Sequence, residues 1–119
     1  MKLLTEELKR QLLANGATNA AHVQQDGNTE DCKPVAKLFC PWGGATWLLS
    51  GLDPNNPDIA FGLCDLGMGC PELGSVSLAE IEAIRGPGGL RIERDLSFRA
   101  AKSLSAYADD ARRADRIIA

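Results

Sequence analysis

Within residues 71–98 the chain changes periodicity twice, and few arrangements of helix and sheet allow that. Ser77 stands directly before an apolar run, and Glu80 follows three residues later. This is the spacing of a capping box, in which the serine oxygen accepts a first-turn N–H and the glutamate reaches back. Leu78, Ile81 and Ile84 then recur at helical spacing, with Glu80 and Glu82 early and Arg85 late, as the helix dipole favours. Gly86-Pro87-Gly88-Gly89 ends such a helix, since glycine accepts positive φ and proline lacks an N–H. From Leu90 the period falls to two. Leu90, Ile92, Leu96 and Phe98 share one face, and Arg91, Glu93, Asp95, Ser97 and Arg99 the other, so a strand over 90–98 is expected. Arg94 falls on the apolar side. Either a β-bulge near Glu93 exposes it, or it points inward to a carboxylate such as Glu72 or Glu82, or it serves a functional pocket.

The preceding chain reads as one helix and several short strands. Thr5 is a candidate N-cap, followed by Glu6 and Glu7, with Leu4, Leu8 and Leu12 on one face and Gly16 as the expected stop. Residues 17–33 are polar and are expected to form a mobile loop. Strands are expected over 35–39, 45–50 and 59–64, separated by the turn clusters 41–44 and 53–58. Ile59, Phe61 and Leu63 are expected on one face of the third strand. After the turn at 65–69, residues 73–76 pair back. Ser103 is placed to cap a last helix running to about Ile117, with mixed charges and a thin apolar stripe, so 109–119 is expected to fray. The whole predicts an α+β fold in a single domain, 1–119. Its mostly antiparallel sheet has about five strands, covered on one face by the N-terminal and central helices.

Composition limits the chemistry. A net charge of −3 without a basic run disfavours non-specific nucleic-acid binding, although Arg85, Arg91, Arg94 and Arg99 remain as a local patch. No apolar run has transmembrane length, and the N-terminus turns charged too early for a secretory leader, so a cytoplasmic protein without a membrane partner is expected. Cys32, Cys40, Cys64 and Cys70 lack the Cys-x-x-Cys spacing of structural zinc sites. They read as free thiols, with a disulfide or zinc as lesser alternatives, and Cys64 and Cys70 flank a turn that brings them near each other. The only histidine, His22, lies in a polar stretch and offers no Ser-His or Cys-His pair. The glycines at 86–89 lead out of a helix rather than into one, unlike a phosphate cradle. Asp53, Asp58, Asp65 and Glu72 sit in or beside turns, where aspartate bonds its own backbone more readily than it gathers round a metal. Glu93 and Asp95 beside Arg91 read as a solvated charge ladder. No metal and no cofactor are called for. The candidate binding residues are Glu72, Arg85, Arg91, Glu93, Arg94 and Asp95.

Pro71-Glu72-Leu73-Gly74, Ser77-Leu78-Ala79-Glu80, Arg85-Gly86-Pro87, Gly89-Leu90 and Ile92-Glu93-Arg94-Asp95-Leu96 with Phe98 resemble the domain-of-unknown-function family DUF2958. Met1-Lys2-Leu3-Leu4-Thr5 and the Phe39–Trp47 hairpin fit it too. The resemblance implies small proteins of plasmids, integrative elements and phages, and no established activity. The expected function is a non-enzymatic accessory protein of a mobile element that acts by protein binding, as an inhibitor of a host defence system of anti-restriction or anti-CRISPR type. The alternatives are a nucleic-acid-binding factor in conjugation or replication and a small enzyme with Arg94 and Glu72 in a pocket.

Overall fold

The computed structural model describes residues 3–26 and 33–119, with the backbone alone for 19–26. Its elements run α1 (Glu6–Asp26), β1 (Ala36–Phe39), β2 (Thr46–Asp53), β3 (Asn56–Asp65), β4 (Glu72–Ser77), α2 (Leu78–Ala83), β5 (Glu93–Arg94) and α3 (Leu104–Ala114). The strands form one antiparallel sheet in the order β4-β3-β2-β1-β5. The expected α+β architecture, with its three helices and five strands, is the one observed.

Alternation along β2 feeds two cores. Trp47 and Leu49 face α1 and join Leu4, Leu12, Leu38, Leu52, Ala60, Leu78, Ile81 and Ile92. Leu48 points the other way and meets Leu63, Leu104, Tyr107, Ala108 and Ala111. The sheet is therefore covered on both faces, not on one. α3 supplies the second cover because its buried residues recur at i, i+3, i+4 and i+7, a complete apolar stripe. Small alanines keep that stripe inconspicuous in the sequence.

α1 begins as expected, with Thr5 Oγ1 accepting the Leu8 N–H (3.1 Å). It does not stop at Gly16 but continues to Asp26, so residues 17–26 of the expected loop are helical. Residues 27–32, and Cys32 with them, lie outside the described residues. Gly16 instead permits a close crossing. α1 passes over β2 there, and a Cβ would stand 1.8 Å from the Leu52 carbonyl oxygen. Beside it, β2 bulges between Leu49 and Gly51. A bulge leaves a residue outside the ladder. Asn15 Nδ2 donates to the Ser50 carbonyl (2.9 Å) and Ser50 Oγ to the Phe61 carbonyl (3.3 Å), satisfying groups the ladder abandons.

α2 starts where the capping box places it, and Ser77 Oγ accepts the Glu80 N–H (3.3 Å). A second carboxylate, Asp58 on β3, joins this cap. Asp58 Oδ2 accepts the Ser77 hydroxyl (2.6 Å), and Oδ1 accepts the Ala79 N–H (2.9 Å). The Ser77 hydroxyl, then the Ala79 N–H, hold the Asp58 carboxyl below its ordinary value. A depressed folded value means the contribution to stability is present above the unfolded carboxylate pKa of about 3.9 and fades as pH falls through the folded value. Acid titration of Asp58→Asn followed by circular dichroism should therefore show a shallower loss of stability below about pH 4 than the parent. Identical acid limbs would refute this role.

The strand expected over 90–98 is mostly absent. Only Glu93 and Arg94 join the ladder, opposite Phe39 and Leu38. Ile92 is buried, whereas Leu90 and Leu96 are 44% and 76% exposed. β1 offers few residues to pair with, and Asp95 turns the chain: its Oδ1 accepts the Ser97 N–H (2.9 Å) and its carbonyl the Phe98 N–H (3.3 Å). Alternation is a false guide here because a polar–apolar rhythm also arises in a bent segment that buries one side chain.

The tail expected to fray is held. α3 ends on Asp115 in the left-handed region (φ 60°), and the Ile117 N–H donates to Asp65 Oδ2 (3.1 Å). Lys37 Nζ donates to the Ala119 carbonyl (2.8 Å). On the exposed side Asp110 meets Lys102 and Arg113, which hold its carboxyl below the ordinary value.

Candidate functional site

The connection from α2 to β5 folds back on itself. Arg85 and Arg91 form an antiparallel bridge, and the Gly86 N–H donates to the Leu90 carbonyl (2.7 Å). Pro87–Gly89 makes a short 3-10 turn in which Gly88 takes φ 68°, a value that favours glycine. Gly86 lies flat against the Trp42 indole of the β1–β2 turn, where a Cβ would come within 2.5 Å of the ring. Trp42 thus fixes the height of this corner above the sheet.

Beneath the turn lies an open cavity of about 490 Å³ lined by Leu3, Glu82, Gly89, Leu90, Arg91, Ile92 and Glu93. Its wall is apolar through Leu3, Leu90 and Ile92, and its rim carries Glu82, Arg91 and Glu93. Arg85 Nη1 donates to the carbonyls of Glu82 (2.6 Å) and Ile84 (3.1 Å), and Arg91 Nη2 to the Glu82 carbonyl (3.5 Å). Both guanidiniums therefore serve the C-terminal end of α2, where bare carbonyls and the helix dipole attract cations. Ile84, 37% exposed, and Leu90 stand beside them on the surface.

The arrangement offers apolar contact bordered by charge of both signs. It holds no histidine, cysteine or hydroxyl nucleophile among its lining residues. Among the described residues no group of three or more histidine, cysteine, aspartate or glutamate side chains is placed to hold a metal ion.

A family model described as "Protein of unknown function (DUF2958)" matches residues 3–118, nearly the whole chain. The chain belongs to the DUF2958 family. No curated protein and no solved structure matches it.

Of the six residues singled out in the sequence, this DUF2958 protein gathers Arg85, Arg91 and Glu93 at the corner. Arg94 is half-buried and donates through Nη1 to the Leu3 carbonyl (2.6 Å), tying the N-terminal segment to β5. Neither a bulge nor a carboxylate is needed, because a backbone oxygen takes the charge-assisted bond. Asp95 sits 3.6 Å from Lys37 Nζ. Glu72 lies on β4, at the opposite edge of the sheet from Arg94. Four strand spacings of about 4.8 Å separate them by roughly 19 Å, which overturns the pocket that would have paired them.

Sequence reasoning missed Leu3 and Trp42, both far from the corner along the chain. No local pattern points to either, since each arrives through tertiary packing. Asp53 and Asp65 behave as expected of turn aspartates: Asp53 Oδ1 accepts the Asn55 N–H (2.9 Å) and Asp65 Oδ1 the Gly67 N–H (2.8 Å). Asp58 does not, since it bonds the distant Ser77 and Ala79 at the start of α2 in place of its own backbone. Cys40, Cys64 and Cys70 are free thiols. Cys64 is half-buried, and burial pushes its thiol up, while Cys70 is exposed. Among the described residues no helix is long and apolar enough to cross a membrane.

Proposed function

We propose that this DUF2958 protein is a non-enzymatic accessory protein of a mobile genetic element that works in the cytoplasm by binding another protein. Its target in this reading is a host defence complex, which it blocks by occlusion. The observation that carries the binding role is the α2–β5 corner. Exposed Ile84 and Leu90 there flank an open, partly apolar cavity whose rim is arginine and glutamate. Protein interfaces favour this composition, with an apolar centre, arginine and a polar border. The net charge of −3 supports a target with a basic surface, because opposite fields speed encounter. The mobile-element setting rests on the resemblance of the chain's motifs to the family.

The test compares the parent with Leu90→Asp and with a Glu82→Lys, Glu93→Lys double variant. Both are surface changes, so folding is checked by thermal melt. Affinity capture from host cells followed by mass spectrometry should retain a specific partner with the parent. Each variant should lose at least about tenfold in affinity, the ordinary effect of removing a central contact. Equal capture by all three proteins would remove the corner from the interface.

A further inference from the structure

The two edges of the sheet are built differently. The β5 edge has two residues, and Arg94 ties the N-terminal segment alongside it. Such short, covered edges do not recruit other strands. The β4 edge runs from Glu72 to Ser77, has no described strand on its outer side, and carries no lysine, proline or inward charge. Glu72, Leu73 and Ser75 are exposed along it. Beside it, on the face that α3 covers only in part, Phe61 and Leu73 are each 39% exposed. The register makes them diagonal neighbours, because Phe61 opposes Ser75 and Leu63 opposes Leu73.

From these features we propose that β4 is a self-association edge: two copies pair β4 to β4, antiparallel, about a two-fold axis through Gly74. Symmetry restricts the register to one centred on a residue, and the apolar row on the α3 face favours Gly74 as that residue. Side chains opposite one another in an antiparallel pair point to the same face. A two-fold pairing must therefore place a residue, not a gap between residues, on the axis. With Gly74 on the axis, residues 72–76 stay paired throughout. Leu73 then opposes Ser75 of the second copy and is diagonal to Leu73 of the second copy. The row Leu48–Leu63–Leu73 continues into Ser75 and Phe61 of the second copy, which extends one apolar band across the joint.

Charge permits the pairing. Glu72 is the only ionised residue of β4, and in this register it opposes Val76 of the second copy. The two Glu72 carboxylates are then about four residues apart along the strands, or roughly 13 Å. That exceeds the screening length of about 8 Å at physiological salt. A Cβ built on Gly74 meets nothing within 4 Å, so a side chain is accommodated at the axis position. A foreign strand would gain the same backbone bonds, but only a second copy brings its own Phe61 and Leu73 to complete the band. This edge is separate from the α2–β5 corner, so the pairing stands or falls independently of the function proposed there.

Sedimentation equilibrium of the full chain should give a mass rising towards twice the monomer's as concentration increases. Ser75→Lys sets two like charges about 7–8 Å apart across the joint and should restore the monomer mass at every concentration without lowering the melting temperature of the monomer. Cysteine cross-linking then reads the register, in a Cys70→Ser background because Cys70 is exposed. Gly74→Cys places two Cα atoms within the 4.4–6.8 Å reach, by rough rule, of a disulfide. Ser75→Cys does not, and serves as its control. Dimer formed under mild oxidation from Gly74→Cys and much less from Ser75→Cys supports the proposal. Monomer mass throughout for the parent overturns it, as does cross-linking that is absent or stronger at Ser75.

Discussion

Gly16→Ala is expected to destabilise this protein by about 2 kcal/mol or more, enough to lower its melting temperature by roughly 8 °C. In an isolated helix the same change stabilises by about 1 kcal/mol, because alanine is the better helix former. The sign reverses here because of where α1 crosses the sheet. A Cβ on Gly16 would stand 1.8 Å from the Leu52 carbonyl oxygen and 2.9 Å from its carbon. These are backbone atoms of a central strand, so no side chain can rotate aside. Either α1 lifts off β2, loosening Leu12 beneath it, or β2 shifts and strains its pairing with β1 and β3. Lifting would also break the Asn15 bond to the Ser50 carbonyl, leaving a group at the bulge without its partner. Thermal unfolding by circular dichroism measures the effect. A neutral or stabilising substitution would mean that α1 does not approach β2 this closely.

Asp65→Ala is expected to cost about 2 kcal/mol and to release the C-terminus. Asp65 is only 3% exposed. Its two oxygens accept from Gly67 in the β3–β4 loop and from Ile117 beyond α3. One carboxylate therefore joins two segments far apart in the chain, and neither N–H finds an equivalent acceptor once it is removed. Hydrogen exchange should then rise at Gly67 and Ile117 before it rises in β2. Limited proteolysis should clip the variant after α3 while leaving the parent intact. Asp65→Asn keeps one acceptor oxygen and should fall between the two in both assays. Unchanged exchange at Ile117 in Asp65→Ala would show that the tail is held by other means.

These two residues also mark where sequence reading succeeds and where it misleads. Asp65 reads as a turn aspartate that bonds backbone, and it is one, because an aspartate reaches the N–H two residues on by local geometry alone. Its second bond, to Ile117, depends on α3 packing over Leu48 and Leu63, which no local rule supplies. Gly16 reads as a helix stop, the commonest role of a glycine at that spacing. It is instead the point of closest approach between two elements, and the two roles look identical until the partner strand is in place. The corner shows the same division. Arg85, Arg91 and Glu93 are neighbours through one tight turn, and their closeness is legible from the chain. Arg94 and Glu72 look like a pair by charge and stand on opposite edges of the sheet.

Local chemistry written in the chain determined the three helices, the succession of short strands, the serine caps at Ser77 and Ser103, and the family. Caps, turns and periodicity act over a few residues, so they can be read without knowing what lies across the molecule. Tertiary structure alone decided that α3 covers the second face and that α1 continues through Gly16 to Asp26. It also decided that the segment after Leu90 bends away instead of extending, and that β4 is left at the edge. Those outcomes depend on which surfaces meet, and burial is an energy of contact between distant parts of the chain that no single stretch contains.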